Sequence, residues 1–312
     1  MAARAASRGL FSALLGTQHL FQSLHITHTL KKIPLVRSTY EYLYQRCVPR
    51  ETLTVNAFGH HLELDPEDMG MSRALLLSGG EWERAETAVF CSFVGEGMTV
   101  IDIGANIGYF TLLAARLVGA LGRVVAFEPS PRNAALLGRN IRANGYHNVT
   151  TVAKAVSAVS GIAQFEIEPA SSGTHHIATS SSRPNSIPIE TVSLDDYFTE
   201  RGQRVDFIKM DAEGSEPSIL AGMGTVIDGN PNLALMTEFA PAAIRELGAS
   251  SEAFLSDLRR AGFVIHRIVD GATPQLLAED SDAALVTTLA SESASTNLLC
   301  LRGGASNERM QP

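Results

Sequence analysis

Between residues 98 and 302 the sequence alternates short apolar runs with stretches of helical periodicity. The apolar runs are rich in Val, Ile and Phe, as is typical of strands buried on both faces. Intervening helices of about ten residues indicate parallel connections, since parallel strands need a crossover. The strand candidates are 98–103, 123–127, 149–153, 205–210, 233–238, 263–268 and 297–302, and the helix candidates are 108–118, 131–144, 215–222, 241–247 and 251–261. The pattern predicts an α/β fold with a parallel sheet covered on both faces.

Two segments depart from this alternation. Residues 281–296 resemble a loop, so we expect the last strand to run antiparallel, at or near the edge of the sheet. The connection 154–198 is long: it contains the strand-like GIAQFEIEP and a Ser/Thr-rich centre. Long loops in compact domains are usually functional or disordered, so we predict a flap insertion at about 165–190.

The composition limits the class of protein. The chain has 312 residues, 45% hydrophobic and 19% charged, which fits a globular protein with a sizeable core. A net charge of −8 argues against binding nucleic acid through phosphate contacts. Cys47, Cys91 and Cys300 show no CxxC spacing, which indicates a reducing, cytoplasmic compartment and no thiolate metal site.

The first 50 residues differ from the rest. They are basic, contain no acid before Glu41 and place apolar residues at helical spacing, so we predict a helical extension over 1–50. Residues 1–40 fit a helix packed on the larger domain, a helix that contacts a membrane surface or a partner, or a transit peptide. No apolar run is long enough to span a bilayer.

The domain plan follows from these segments. A lead-in region, 51–94, would hold a hairpin with Gly59 near its turn, and a helix over 79–94. His60 and His61 in that hairpin would point to opposite faces, which makes them a poor chelating pair. The main domain would cover 95–303, and 304–312 would form a flexible tail.

An acid precedes the turn of the first strand–turn–helix unit, VIDIGANIGYFTLLAAR. Packing explains the apolar residues around Asp102 but not its carboxylate. Gly104, Asn106 and Gly108 form a loop whose backbone N–H groups would face an anion at the start of a helix. Asp102 would repel a pyrophosphate there but attract an ammonium group.

A second acid, Glu128, ends the next strand, where an acid can accept hydrogen bonds from two ribose hydroxyls. A site that suits a ribose and a cationic amino-acid end fits S-adenosylmethionine. NAD shares the ribose, but it brings a pyrophosphate and prefers a G-x-G-x-x-G loop. The following strand would deliver Ala155, Val156 or Ser157 beside the adenine, and of these we select Val156.

The fourth strand ends in KMDAEGSEPSIL, where Asp211 and Glu213 flank the strand end. Acids there can charge a helix N-terminus, but Asp211 still lies in the apolar run and would be costly to bury without a partner. We therefore predict that both acids lie on the methyl-acceptor side of the site.

These motifs together resemble a known family. DIGANIGYFT, FEPSPRNAALLGRNIRANG, AVSAVSG, SLDD and KMDAEGSEPSILAG, in this order, are similar to the FkbM family of S-adenosylmethionine-dependent methyltransferases, over about residues 79–240. The resemblance implies a class I methyltransferase, Rossmann-like sheet of seven strands in the order 3-2-1-4-5-7-6, one of them antiparallel. It also implies O-methylation of a hydroxyl on a small-molecule, sugar or lipid-like acceptor.

The resemblance also assigns roles to residues. It gives cofactor binding to Asp102, Gly104, Asn106, Gly108 and Glu128, and places Asp211, Glu213 and Gly214 at the family's acidic strand-end motif.

An alcohol acceptor needs a base, for which Asp211, Glu213, His175 and His176 are candidates. Of the two histidines we select His175, because only one of the pair can face the pocket. A divalent metal on these side chains is conceivable, but no spacing motif supports it, so we predict none. The competing functions are an NAD-dependent oxidoreductase and a non-catalytic methyltransferase-like binding protein.

Overall fold

The computed structural model describes residues 53–166, 186–198 and 204–303, the backbone of 176–177 and three single positions at 42, 46 and 48. The predicted helical extension over 1–50, the tail 304–312, the centre of the flap and His175 lie outside the described residues. The chain divides into two compact units, one ending at Trp82 and the other beginning at Glu83. In the part that the structure describes, no helix is both long and apolar enough to cross a bilayer.

The first unit contains the predicted hairpin. Strands β1 (Leu53–Ala57) and β2 (His60–Leu64) pair antiparallel, with Gly59 in the turn at a φ of 82°. Helix α1 (Met71–Ser78) follows. His60 is buried and His61 is exposed, so the two side chains point to opposite faces, as predicted.

The second unit is built on an eight-stranded sheet. Its strands are β3 (Thr99–Ile103), β4 (Arg123–Phe127), β5 (Val149–Val152), β10 (Phe207–Met210), β11 (Ala234–Phe239), β12 (Val264–Arg267), β13 (Gln275–Leu276) and β14 (Thr296–Leu301). The order is β13-β12-β14-β11-β10-β3-β4-β5. Without β13 this is the expected order 3-2-1-4-5-7-6. The structure differs in having an eighth, two-residue edge strand, and this strand is antiparallel to β12.

One expectation about the C-terminal part is confirmed and another needs correction. β14 is antiparallel and lies near the edge of the sheet, as predicted, between β11 and β12. The segment predicted to be a loop contains the helix Asp282–Glu292. Leu285, Val286 and Leu289 in that helix are buried at helical spacing, and Asp282 forms an ion pair with Arg259 at 2.5 Å.

Helices cover both faces of the sheet. They are α2 (Arg84–Phe93), α3 (Tyr109–Val118), α4 (Pro131–Ala143), α5 (Leu194–Phe198), α6 (Glu216–Ala221), α7 (Gly224–Gly229), α8 (Pro241–Glu246), α9 (Ser251–Arg260) and α10 (Asp282–Glu292). Ile101 and Ile103 of β3 join a core cluster with α6 to α10. Asp102 lies on the other face and bonds to Thr111 of α3. Lys209 of β10 pairs in register with Asp102, so the two charged residues are neighbours inside the sheet.

The described parts of the connection 154–198 form a second sheet. Its strands are β6 (Ala155–Val156), β7 (Gly161–Glu166), β8 (His176–Ile177) and β9 (Ser186–Val192), in the order β6-β9-β7-β8. The strand predicted in GIAQFEIEP is confirmed as β7, which pairs antiparallel with β9.

Replacing Gly214 by Ala tests how tightly the loop after β10 is packed. A Cβ at this position would lie 2.7 Å from the backbone carbon of Ala243, and the φ of Gly214 is +95°. We expect Gly214→Ala to lower the free energy of unfolding by about 2–4 kcal/mol, measured by urea denaturation.

The matched control is Gly248→Ala, at a φ of +83° with nothing within 4 Å of the added Cβ. Only the left-handed conformation opposes this substitution, so we expect a loss of about 1 kcal/mol. Equal losses in the two variants would show that the contact with Ala243 is not tight.

Candidate functional site

The loop 104–108 connects β3 to α3 and is bonded to the end of β4. The N–H groups of Gly104 and Ala105 both donate to the carbonyl oxygen of Phe127 at 3.0 Å. The N–H of Asn106 donates to Oε2 of Glu128 at 2.7 Å, and that of Gly108 donates to the carbonyl of Ala105. The sequence predicted that the backbone N–H groups of this loop face an anion. That prediction is wrong for these four N–H groups, because each already donates to an acceptor within the protein.

Backbone packing requires a glycine at position 104, whereas at Gly108 the positive φ opposes a side chain and the contact with Leu137 could be relieved by movement of that side chain. A Cβ on Gly104 would lie 1.8 Å from the backbone oxygen of Asp211, and a Cβ on Gly108 would lie 2.6 Å from the side chain of Leu137. Both residues have positive φ angles, 75° and 100°. The loop after β3 therefore lies directly against the residue that follows β10, which brings the two predicted halves of the site together.

Asp102 is buried with one oxygen unsatisfied. Its side chain is 1% exposed, and Oδ2 accepts a hydrogen bond from the Thr111 hydroxyl at 2.5 Å. Oδ1 has no partner. Burial raises the pKa of the Asp102 carboxyl group, while the charge of Lys209 and the Thr111 hydrogen bond oppose that shift. An unpartnered, buried carboxylate oxygen is an acceptor for a cationic donor.

Glu128 borders the same loop as Asp102, as the cofactor prediction requires. Oε1 accepts from the N–H of Ser130 at 2.8 Å and Oε2 from that of Asn106, and the Asn133 side chain donates a third hydrogen bond. A carboxylate offers about four acceptor positions, so one remains. This remaining position can accept a hydrogen bond from one ribose hydroxyl. For Glu128 to bind both ribose hydroxyls, as predicted, one of its three existing hydrogen bonds would have to break. Burial raises the pKa of Glu128 to about 7.

Val156 lies in β6, beyond the end of β5, as predicted. Its side chain is 3% exposed and packs in the core cluster with Phe127. The Ser157 hydroxyl lies 3.1 Å from that of Ser218. The adenine contact of Val156 stays a prediction.

Asp211 has a partner that the sequence reasoning missed. It follows the last residue of β10 and its side chain is 30% exposed, so it is not deeply buried as expected. Oδ2 of Asp211 accepts a hydrogen bond from Nζ of Lys209 at 2.9 Å. The Lys209 ammonium also lies 4.8 Å from the centre of the Phe110 ring. Burial lowers the pKa of Lys209, but the charges of Asp211, Asp102 and Glu83 raise it above its usual value.

Three acids converge beside this ion pair. Carboxylate oxygens of Asp211, Glu213 and Glu238 lie within 4.8 Å of one another, and we refer to these three residues as the acid cluster. Glu213 has a φ of 52°, in the left-handed region, and Glu238 comes from β11. Burial, followed by the charges of the neighbouring acids, raises the pKa of Glu213 to about 9 and that of Glu238 to about 7.

Two further acids lie close to the cluster. Glu216 is 0% exposed: its Oε1 accepts from the N–H of Ala212 at 2.8 Å, and its Oε2 has no hydrogen-bond partner among the described residues. Burial and the charge of Glu238 raise the pKa of Glu216 to about 8, and burial raises that of Glu83 to about 8 as well. Carboxyl groups with such pKa values can exchange protons near neutral pH or bind a cation.

The sequence contained a usable signal for part of this set. Lys209 in FIKMD and Glu238 in ALMTEF are single charged residues within apolar strands, as Asp102 is. Glu216 and Glu83 carry no such signal, because Glu216 begins α6 and Glu83 directly precedes α2, and acids are common at helix N-termini. His176 is described only by its backbone.

Comparison with known proteins identifies the type of domain. The family model described as the methyltransferase FkbM domain matches residues 102–265. Over 67 residues, 21% of this chain, the sequence is 37% identical to protein-L-isoaspartate O-methyltransferase 1 of Archaeoglobus fulgidus and to protein-L-isoaspartate O-methyltransferase of Methanococcoides burtonii. The match spans about a third of each relative, 31% and 33%.

A similar solved structure is that of a SAM-dependent methyltransferase from Aquifex aeolicus. It shows 14% sequence identity and a TM-score of 0.39, and the similarity covers 70% of this chain and 89% of that one.

Replacing Lys209 by Met tests whether the ammonium compensates the buried acids. The substitution keeps the apolar stem but removes the charge that Asp102, Asp211 and Glu83 share. We expect the free energy of unfolding at pH 8 to fall by about 3 kcal/mol, since removing one partner leaves uncompensated buried charge.

Lys154→Met is the matched control, because Lys154 forms an ion pair with Glu190 at 2.7 Å in which both side chains are exposed. We expect no measurable change in its urea denaturation curve. If Lys209→Met also left the free energy of unfolding unchanged, the buried ammonium would not be the group that stabilises the buried acids.

Proposed function

The chain belongs to the FkbM methyltransferase family, and on this basis we propose that it methylates a hydroxyl oxygen of a small-molecule, sugar or lipid-like acceptor. S-adenosylmethionine is the methyl donor. One observation supports the proposal most strongly: the backbone of Gly104, in the cofactor loop, packs against the carbonyl of Asp211, in the acid cluster. The methyl donor and the methyl acceptor would therefore bind to adjacent loops at one edge of the sheet.

The residues at this edge suit the cofactor. The unpartnered Oδ1 of Asp102 would accept from the ammonium of the methionine portion, and the remaining acceptor position of Glu128 would take a ribose hydroxyl. Gly104, Asn106 and Gly108 form the loop between these two acids, and Val156 lies beyond the neighbouring strand.

When bound, the cofactor supplies an electrophilic methyl group: a bond forms from the acceptor oxygen to that carbon as the C–S bond breaks, and sulfur keeps the electron pair. The chain must align the acceptor and take its hydroxyl proton. Asp211 and Glu213 are the proposed proton acceptors. Glu213, with a pKa of about 9, is a stronger base than an ordinary carboxylate, although it is mostly protonated at pH 7 until a ligand or a cation displaces the proton.

A cytoplasmic location is part of the proposal, and it is supported by the free thiols of Cys91 and Cys300. We also propose that the partner is a small molecule and not nucleic acid, because the net charge is −8. A membrane or partner contact through residues 1–40 stays a prediction.

The pH dependence of cofactor binding tests the role of Glu128. Ribose hydroxyls donate to an ionised carboxylate, and Glu128 loses its proton near pH 7. Raising the pH from 6 to 8 ionises this residue, so we expect affinity for S-adenosylhomocysteine to increase about tenfold, measured by titration calorimetry.

In Glu128→Gln the binding should be weaker at both pH values and depend less on pH, whereas Glu190→Gln, at an exposed position, should behave as wild type. Binding of NAD in preference to S-adenosylhomocysteine, or wild-type affinity in Glu128→Gln, would contradict this assignment of the site.

Methyl transfer itself is tested with labelled S-adenosylmethionine and a small-molecule extract. We expect a product that is one methyl group heavier and contains a methyl ether. Asp211→Asn and Glu213→Gln should each slow its formation by about 10²–10⁴-fold while S-adenosylhomocysteine still binds. Glu246→Gln, exposed on α8, is the control. A labelled amine or carbon product, or full rates in both variants, would refute O-methylation by these acids.

A further inference from the structure

We propose that the acid cluster binds one hard divalent cation, with the carboxylates of Asp211, Glu213 and Glu238 as its protein ligands. The proposal rests on the proposed function, since it gives the acceptor side of that same site a cation. It replaces the expectation from the sequence, which predicted no metal because no ligand spacing motif is visible. The three ligands come from two strand ends and an intervening turn, so no such spacing arises.

The distances within the acid cluster fit the coordination sphere of such an ion. Its three ligand atoms lie within 4.8 Å of one another. Opposite oxygen ligands are about 4.6–5.2 Å apart around Ca²⁺ and about 4.0–4.2 Å apart around Mg²⁺, from the usual metal–oxygen distances. One cation can therefore contact all three carboxylates, with a small contraction for Mg²⁺. A ligand set made only of oxygen favours Mg²⁺, Mn²⁺ or Ca²⁺ over softer metals.

An unsatisfied buried acid provides independent support. Glu216 is 0% exposed, and no described residue forms a hydrogen bond to its Oε2. Its other oxygen bonds to the N–H of Ala212, between two of the proposed ligands, and the charges of Glu238 and Asp211 both act on it. One oxygen of Glu238 is likewise buried and unpartnered. Buried polar atoms without a partner are costly, so a missing cation is a physical explanation for both.

The charge balance leads to the same conclusion. Four carboxyl groups, those of the acid cluster and Glu216, lie near one ammonium, that of Lys209, so they can all be ionised together only if further positive charge is present. Lys209 bonds directly to Asp211 and is also held beside Asp102 and the Phe110 ring, so it cannot neutralise the whole group. A divalent ion would supply the missing positive charge without a change of fold.

The backbone fixes the ligands before any ion binds. Asp211 follows β10 directly, and Glu238 lies near the end of the adjacent strand β11. Glu213 reaches the cluster from a left-handed turn, next to Gly214, which packs against Ala243. Because Asp211 also contacts Gly104, the cation would sit beside the methyl donor and favour the ionised form of an acceptor hydroxyl. With the cation bound, Asp211 and Glu213 would act as its ligands in place of their role as proton acceptors, and the hydroxyl proton would pass to water.

Electron paramagnetic resonance of Mn²⁺ tests the proposal on the full chain, after treatment with a chelator. Bound Mn²⁺ loses the sharp six-line signal of the free aquo ion, so binding is read without an activity assay. We expect one Mn²⁺ per chain, displaced by excess Mg²⁺ or Ca²⁺. Glu238→Gln and Glu213→Gln should each weaken Mn²⁺ binding at least tenfold, and the control Glu246→Gln should leave it unchanged.

Both cluster variants are expected to fold, because an uncharged amide relieves repulsion among buried acids, and near-ultraviolet circular dichroism verifies this. Absence of Mn²⁺ binding at millimolar concentration, or equal affinity in wild type and folded Glu238→Gln, would overturn the proposal.

Binding of S-adenosylhomocysteine to the same samples separates the two proposals. If S-adenosylhomocysteine binds and Mn²⁺ does not, the cation site is wrong and the methyltransferase function stands. Stoichiometric Mn²⁺ binding that is lost in Glu238→Gln supports the cation site even if no methylated product is found.

Discussion

The contact between Gly104 and the carbonyl oxygen of Asp211 determines the geometry of the site. There is no room for a side chain at Gly104, so the loop after β3 and the turn after β10 meet backbone to backbone. Because the two strands are adjacent and parallel, their carboxyl ends open at the same edge of the sheet. Asp102 in β3 and Asp211 after β10 are therefore close enough for their charges to interact, although they are more than 100 residues apart in the sequence.

Buried charge is the second constraint. Asp102 and Lys209 are buried neighbours on adjacent central strands of the sheet, and Lys209 bonds to Asp211. Such charges are costly without partners, and here the partners are incomplete: one oxygen each of Asp102, Glu216 and Glu238 has no hydrogen-bond partner among the described residues. Unsatisfied groups at one edge of the sheet point to bound ligands, an ammonium at Asp102 and a divalent cation at the acid cluster. The raised pKa values of Glu213, Glu216 and Glu238 have the same cause, burial among like charges.

Local pattern was sufficient to predict much of the fold. The alternation of strands and helices and the hairpin around Gly59 are confirmed, because buried parallel strands and their crossover helices leave clear periodicities. The order of the seven strands, with β14 between β11 and β12, is also confirmed, but it was implied by the family resemblance, since strand order depends on pairing between distant segments and not on local pattern. The helix over 282–292 was missed because its buried face contains only Leu285, Val286 and Leu289 and its Ser/Thr content resembles a loop. Asp102 and Glu128 were found as acids at strand ends, whereas Glu216 and Glu83 become recognisable only once packing brings them to Lys209 and Glu238.

The most direct test is a crystal structure of the full chain with S-adenosylhomocysteine. We expect its amino group within about 3 Å of Oδ1 of Asp102, its ribose at Glu128 and its sulfur directed toward the acid cluster. Two results would contradict the account: bound S-adenosylhomocysteine that makes no contact with Asp102, or a sulfur atom that points away from Asp211 and Glu213. Either would show that the methyl donor and the methyl acceptor do not bind together at the edge formed by β3 and β10.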